Sequence, residues 1–341
     1  MSIHLKAEDR KIPGSSHRLL SRYAENAFWM GRYIERVENV ARLLLVTEAF
    51  SSARDGDSWR AILQVFADEA AFAATDLDPS PQNVSTYFLT NAQTPSSVIS
   101  CLTAVKENAR SLRHLLTTEA WVQISGFHAR VAALSKKRLK LSDLVETCEE
   151  IRTGCHAHFG VLEATCYRDE VWLFNRIGAA LERADQMTRL LDMKYFQIDA
   201  SGEDDTIAPD VTWWNTLLRS ASGYQAFRRR HSFNPRAEEA AAFFLFDPHF
   251  PRSVACALSE VFSCLSELEN NYSGDAGAHV TAGRARLARR IERPEETLRG
   301  QALHRYLDET QRDMIALSNA LTARYFSPDA QAVMESRQSQ A

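Results

Sequence analysis

The sequence predicts an all-α protein, a multi-helix array built around two copies of one helix. Apolar residues recur at alternating spacings of three and four along most of the chain, the period of a packed helix face. Glycine is sparse, 13 in 341 residues, and most of the 10 prolines fall between the periodic stretches, where the ring removes a donor and stops helix propagation. Strand signals are nearly absent. With 45% hydrophobic and 25% charged residues, there is material for a sizeable core, and disorder is not the default reading.

Taken in order, residues 1–16 are polar, are broken by Pro13-Gly14-Ser15-Ser16 and lack an apolar targeting core, so they read as a flexible tail. Helices follow over 19–53 and 58–74, with Pro79, Pro81 and Pro95 as punctuation, then over 96–116, 118–134, 142–165 and 168–197. The acidic stretch Ser201-Gly202-Glu203-Asp204-Asp205 is a loop that divides two lobes near 200–208. Further helices are predicted over 210–229, 236–245, 251–270 and 294–324, with a second loop at Ser273–Gly277 and a flexible tail over 327–341. Neither loop is a long linker, so residues 17–326 read as one helical domain.

Charge narrows the function classes. The net charge of -4 leaves no global footprint for nucleic acid. The local basic runs, Lys136-Lys137-Arg138 with Lys140, Arg228-Arg229-Arg230 and the stretch from Arg284 to Arg293, read as solvated helix faces. No apolar run approaches the ~18 residues of a membrane span. Six cysteines without a CxxC pair or a signal peptide point to a reduced, cytoplasmic setting.

A shift of 147 residues lays GRYIERVENVARLL over 31–44 on GAALERADQMTRLL over 178–191. Glycine, Glu-Arg, arginine and Leu-Leu coincide, and the packing register does too: Ala27, Met30, Ile34, Val37, Ala41 and Leu44 against Phe174, Ile177, Leu181, Ala184, Thr188 and Leu191. Glu35, Glu38 and Arg42 form a stripe beside that seam, repeated by Glu182, Asp185 and Arg189, while Arg36 and Arg183 project to one side. Gly31 and Gly178 lie on the same stripe. Glycine inside a helix costs ~1 kcal/mol relative to alanine, so its use there suggests close approach of a backbone or a ligand. The predicted arrangement is a pseudo-twofold pair of helices bringing four carboxylates and four arginines together.

Two readings of that cluster stay open. One is a half-buried ion network joining the helices. The other is a pocket in which Arg36, Arg42, Arg183 and Arg189 bind an anionic or peptide-like ligand. A metal site fits poorly, because bundle di-metal sites need Glu-x-x-His and neither repeat has one, so no metal or other cofactor is expected. Cys148, Cys155, His156, His158 and Cys166 match no familiar zinc spacing and read as buried thiols and surface histidines. Phe28, Trp29, Tyr33, Trp172, Trp213 and Trp214 read as core and interhelix packing.

With these residues in view, the sequence resembles the alpha-E family of bacterial helical proteins. The resemblance rests on LSRYAENAFWMGRYIERVENVARLL over 20–44, on Glu107-Asn108-Ala109-Arg110 leading to Glu119-Ala120-Trp121, on Leu181–Asp185 with Asp192–Tyr195, and on FDPHFPRS over 246–253. It covers nearly the whole chain. One departure is Ala179, which leaves Arg32 without a counterpart in the second motif. The family's association with circularly permuted ATP-grasp proteins and transglutaminase-like peptidases implies these two as partners. It also implies an accessory or scaffold role in making or modifying peptide amide bonds.

The chain shows no Walker loop, no GxGxxG after a strand, no GxSxG and no HExxH, and an ATP-grasp site needs sheets. Asp247 and His249 read as part of a Pro-braced turn, with no nucleophile to serve. The leading expectation is therefore a non-catalytic helical protein. The alternative is a stand-alone enzyme or ligand-binding protein that uses Arg32, Glu35, Arg36, Glu38, Arg42, Glu182, Arg183, Asp185 and Arg189.

Overall fold

A computed structural model describes residues 19–50, 56–136, 139–200, 211–231, 236–270, 277–292 and 300–327. Among these residues there are fourteen α-helices and no strand. In chain order they are α1 (Ser21–Phe50), α2 (Gly56–Val65), α3 (Glu69–Ala73), α4 (Pro81–Thr90), α5 (Val98–Ser111), α6 (Thr118–Ser135) and α7 (Leu144–Thr165). They continue with α8 (Glu170–Ala200), α9 (Val211–Ser220), α10 (Tyr224–Arg228), α11 (Ala237–Phe246), α12 (Val254–Leu268), α13 (Ala278–Ile291) and α14 (Gly300–Leu321). The predicted N-terminal tail, the predicted C-terminal tail except Ser327, and the predicted lobe-dividing loop from residue 201 lie outside the described residues.

The two longest helices, α1 and α8, are the spine and pack on each other. The other face of α1 carries α5 and α7, bridged by α6, while α8 also carries α12 and α14, with α13 between those two. The predicted seam is the core. Ala27, Met30, Ile34, Val37, Ala41 and Leu44 on α1, and Phe174, Ile177, Leu181, Ala184, Thr188 and Leu191 on α8, are all buried. Partner numbers rise together across the joint, Ala27 meeting Asn175 and Glu35 meeting Arg183, so the helices run in the same sense where they touch.

Four local features qualify the sequence reading. Helix α4 was not predicted, because Pro81 reads as a breaker. It instead occupies the first turn, where its fixed φ suits a helix and no N–H is needed, with Ser80 capping Asn83 N. The predicted 210–229 helix is two, since Ser222 enters the left-handed region (φ 55°) and Gly223 N donates to Leu218 O at 2.7 Å, closing the end of α9. The predicted 294–324 helix is described from Gly300, residues 293–299 lying outside the described residues, and it ends in a short π-helical turn at Thr322–Phe326. The fourth is α13, which contains most of the basic stretch that starts at Arg284. Its Arg286 and Arg290 are not simply solvated: both pair with Asp313 of α14 at 3.1 Å, and Arg290 also reaches Glu309. Arg228, Arg229 and Arg230 are exposed as expected, whereas Lys137 and Arg138 lie outside the described residues.

Candidate functional site: the crossed Glu-Arg helices

Close approach of α1 and α8 is possible because each glycine faces the other helix's backbone. A Cβ on Gly31 would overlap the Asn175 carbonyl and lie 3.0 Å from Ala179 N; one on Gly178 would overlap the Phe28 carbonyl. Asn175 secures the contact by donating from Nδ2 to Ala27 O at 3.2 Å. Of the two options open for these glycines, a neighbouring backbone is the one realised.

One helical turn further on, the Glu-Arg pairs are exchanged. The Arg183 fork donates to Glu35 through Nε at 3.1 Å and Nη2 at 2.8 Å, and the Arg36 fork donates to Glu182 through Nε at 2.7 Å and Nη2 at 3.1 Å. Bidentate guanidinium–carboxylate pairs of this kind fix geometry as well as charge. Both carboxylates are buried, Glu35 to 0% exposure and Glu182 to 2%. Burial alone would push each carboxyl up, but the guanidiniums outweigh it. Arg32 and Arg36 hold Glu182 at about 2, and Arg183 and Arg252 hold Glu35 below the ordinary carboxylate range. In return, Glu182 and Glu35 raise Arg36 and Arg183 against the downward push of their own burial.

Around this reciprocal core the two sides differ. Glu182 also accepts from Arg32 Nε at 2.7 Å and Gln186 Nε2 at 2.8 Å. Arg32 lies over Trp29 and Phe28, and Arg36 over Tyr33, so the aromatic residues of the first motif pack and also support its cations. On the other side, where Ala179 removes the counterpart of Arg32, the second guanidinium comes from Arg252. Its Nη1 reaches Glu35 at 3.2 Å and its Nη2 reaches Glu38 at 2.6 Å.

Arg252 is placed by the turn before α12. Asp247 Oδ1 accepts from His249 N at 2.8 Å and Phe250 N at 3.1 Å, and Ser253 caps Cys256 N at 3.0 Å. The Asp247-His249 element is thus a brace for an arginine.

Glu38, wholly buried, is gripped at both oxygens by Arg42, whose Nη1 also donates to the Ser222 hydroxyl. The left-handed turn that ends α9 therefore delivers a side chain to this cluster. Arg152 and His156, one turn apart on α7, approach Glu38 Oε1 at 3.6 Å, beyond hydrogen-bond range. Burial, followed by the nearby Arg252 and Arg152, pushes Arg42 below its usual range.

The nine predicted residues thus fall into three groups. Glu35, Glu38, Arg42 and Arg183 share one cluster, and Arg32, Arg36 and Glu182 another. Asp185 pairs with Arg189 at 2.9 Å, half-buried and apart from both. Arg252, Arg152, Ser222 and Gln186 are not among the predicted residues, and His156, exposed as expected, is not predicted to join this cluster. Arg252 did lie within the FDPHFPRS segment, but nothing in its spacing tied it to a helix more than two hundred positions earlier. Of the remaining candidates, Cys148 and Cys155 are buried as expected, but His158 is buried too, its Nδ1 facing Gln123 Oε1 at 3.3 Å and its ring held at about 4 by burial. Phe28 and Trp214 are core, Trp172 lies between Arg168 and Arg176, and the side chain of Trp213 lies outside the described residues.

Among the described residues the fold is all-helical, and its two central helices are joined by ion pairs exchanged between two Glu-Arg dipeptides. The chain belongs to the Alpha-E family, described as a predicted alpha-helical domain with a conserved ER motif, which it matches over residues 19–326. It is 25% identical over 303 residues to an uncharacterised protein of Mycobacterium bovis, and 25% and 24% identical to uncharacterised proteins of two strains of Mycobacterium tuberculosis. Each alignment covers 83% of this chain and 33% of the relative, so the chain spans about a third of the length of the curated relatives it matches. No solved structure is similar to it at a significant level. No helix among the described residues is long and apolar enough to cross a membrane.

Proposed function

We propose that this protein is an accessory, scaffold-like subunit that acts beside a circularly permuted ATP-grasp amide ligase and a transglutaminase-like protein in making or modifying peptide amide bonds. The observation that carries this reading is the commitment of the motif carboxylates. Glu35, Glu38 and Glu182 are buried and each is gripped by at least two guanidiniums, while Asp185 is paired with Arg189. Glu35 and Glu182, held ionised by these guanidiniums, are poor general acids, and their oxygens are already engaged. The cluster is suited to locking α1, α8 and α12 into one rigid frame. In the mycobacterial relatives the similar region is a third of a longer chain, which fits a module that works next to other domains.

The test is reconstitution. The purified chain and a circularly permuted ATP-grasp protein encoded beside it are mixed with ATP and peptide, and complex formation is read by size-exclusion chromatography with light scattering. A stable complex, or a ligase whose turnover depends on the chain, is expected. Independent elution and unchanged turnover under all these conditions overturn the proposal.

A further inference from the structure

We propose that the face of the second cluster formed by Arg152, His156 and Arg252 binds an oxyanion, the phosphate or carboxylate group of a small ligand. The first ground is charge imbalance. Glu35 and Glu38 face Arg42, Arg152, Arg183 and Arg252, and even with Glu260, 3.5 Å from Arg183, assigned wholly to that residue, three carboxylates meet four guanidiniums. Glu260 is shared besides with Arg176. Glu149, an acidic neighbour of Arg152, is exposed and not ion-paired to it among the described residues.

The second ground is an unmet donor. Among the described residues Arg152 makes no hydrogen bond, its Nε is enclosed, and its nearest acidic oxygen stays at 3.6 Å because Arg42 and Arg252 already occupy Glu38. The enclosed Nε is out of a ligand's reach, but the Nη groups at the accessible end of the side chain are unburied and unpaired among the described residues, and a ligand oxygen would supply their acceptor.

The third ground is access. Side-chain exposure rises outward from Arg42 at 4%, through Arg252 at 17% and Arg152 at 24%, to His156 at 56%. Arg152 and His156 stand at i and i+4 on α7, so they flank one position on the helix surface. An oxyanion seated there meets a guanidinium and an imidazole at the rim and the excess positive charge of Arg252 beneath. By contrast, both part-buried guanidiniums at Glu182, those of Arg32 and Arg36, are hydrogen-bonded to it. This site needs no partner protein, so failure of the reconstitution leaves it intact.

Inorganic phosphate and acetate are titrated separately into the full chain at constant ionic strength set with chloride, with the His156 ring followed by NMR and melting temperature measured in parallel. Saturable shifts of the His156 ring and a higher melting temperature are expected with at least one anion. Phosphate alone identifies a phosphate ligand, acetate alone a carboxylate ligand, and both a general oxyanion site. R152Q should weaken binding on the order of tenfold, the loss of one charge-assisted hydrogen bond. H156N should abolish the ring signal and weaken the melting response, whereas R189Q should change neither. Should R152Q fold poorly, H156N carries the test through melting temperature. No response beyond chloride, or a response unchanged in the folded R152Q and H156N proteins, overturns the proposal.

Discussion

Glu35 and Arg183 are 148 positions apart, yet they form a two-pronged ion pair across α1 and α8 with the carboxylate fully buried. Its counterpart links Glu182 and Arg36, so each helix supplies the acid for the other's base. Removing one partner of a buried pair strands the other, and Glu35→Gln should cost roughly 3–5 kcal/mol. In a double-mutant cycle with Arg183→Gln, the coupling should be about 2 kcal/mol. Asp185→Asn, which breaks the more exposed pair with Arg189, should cost under about 1 kcal/mol. Urea unfolding of the four proteins of the cycle and of D185N measures all three. A coupling near zero, or equal losses for the buried and half-exposed pairs, contradicts the joint.

Gly31 and Gly178 should be intolerant of the smallest possible side chain. Alanine is the better helix former by about 1 kcal/mol, but here its Cβ would collide with the opposite backbone, which has no rotamer to yield. Gly31→Ala and Gly178→Ala should each lose about 3 kcal/mol or more, as overpacked cores do at the upper end of their range. Gly160, inside α7, has nothing within 4 Å of an added Cβ, so Gly160→Ala should gain up to about 1 kcal/mol. Thermal melts of the three variants should therefore differ in sign. A neutral Gly31→Ala would mean that the helices are not in contact there.

These glycines also show what was legible in the sequence and what was not. Their close approach, the buried seam and the central Glu-Arg helices followed from a register repeated 147 residues apart, because helical period and residue size are local properties. The exchange of Arg36 and Arg183 between acids was implied only loosely, and the split into separate clusters not at all. Arg252 and Ser222 reach the site from turns closed by Asp247 and by a left-handed residue, and Arg152 and His156 from the packing of α7 on α1. Those placements depend on tertiary packing, which periodicity does not encode. Pro81 and Ser222 misled in opposite directions, one starting a helix where a break was read and the other ending one where continuation was read.

Acid should unfold the protein in two separable stages. His158 is held at about 4, below its ordinary 6.5, so the unfolded chain takes up this proton first; the stability it contributes is complete above pH 6.5 and is lost as pH falls toward 4. Glu182 is held at about 2, below its ordinary 4.5, and its contribution of about 3 kcal/mol is present above pH 4.5 and lost as pH falls toward 2. Glu35, also lowered, acts in the same direction at the lower stage. Melting temperatures from pH 8 to 2.5 should fall in both windows. Glu182→Gln should flatten only the lower one and His158→Asn only the upper. A pH profile unaltered by both substitutions would show that these groups do not carry the acid sensitivity.

The thiols should divide by burial. Cys101, Cys148 and Cys264 are pushed up to about 12, and Cys155 well above its ordinary value, each chiefly because burial disfavours the thiolate. A thiol with a value near 12 is ionised at pH 8 to only about one part in ten thousand, and it is the thiolate that attacks. Cys166 and Cys256 are partly exposed, with Cys256 raised by its partial burial and by Glu260. Ellman's reagent at pH 8 should therefore react with Cys166 first, with Cys256 more slowly, and with the other four only after guanidinium unfolds the chain. Since Cys155 lies in the electrostatic field of Glu35, Arg252 and Arg42, its protection also reports on the cluster. Glu35→Gln should open that packing and speed the reaction of Cys155, detected by mass spectrometry of the labelled peptides, while leaving Cys101 protected. Equal labelling of all six thiols in the native protein would mean that the α1, α7 and α8 core is not closed as described.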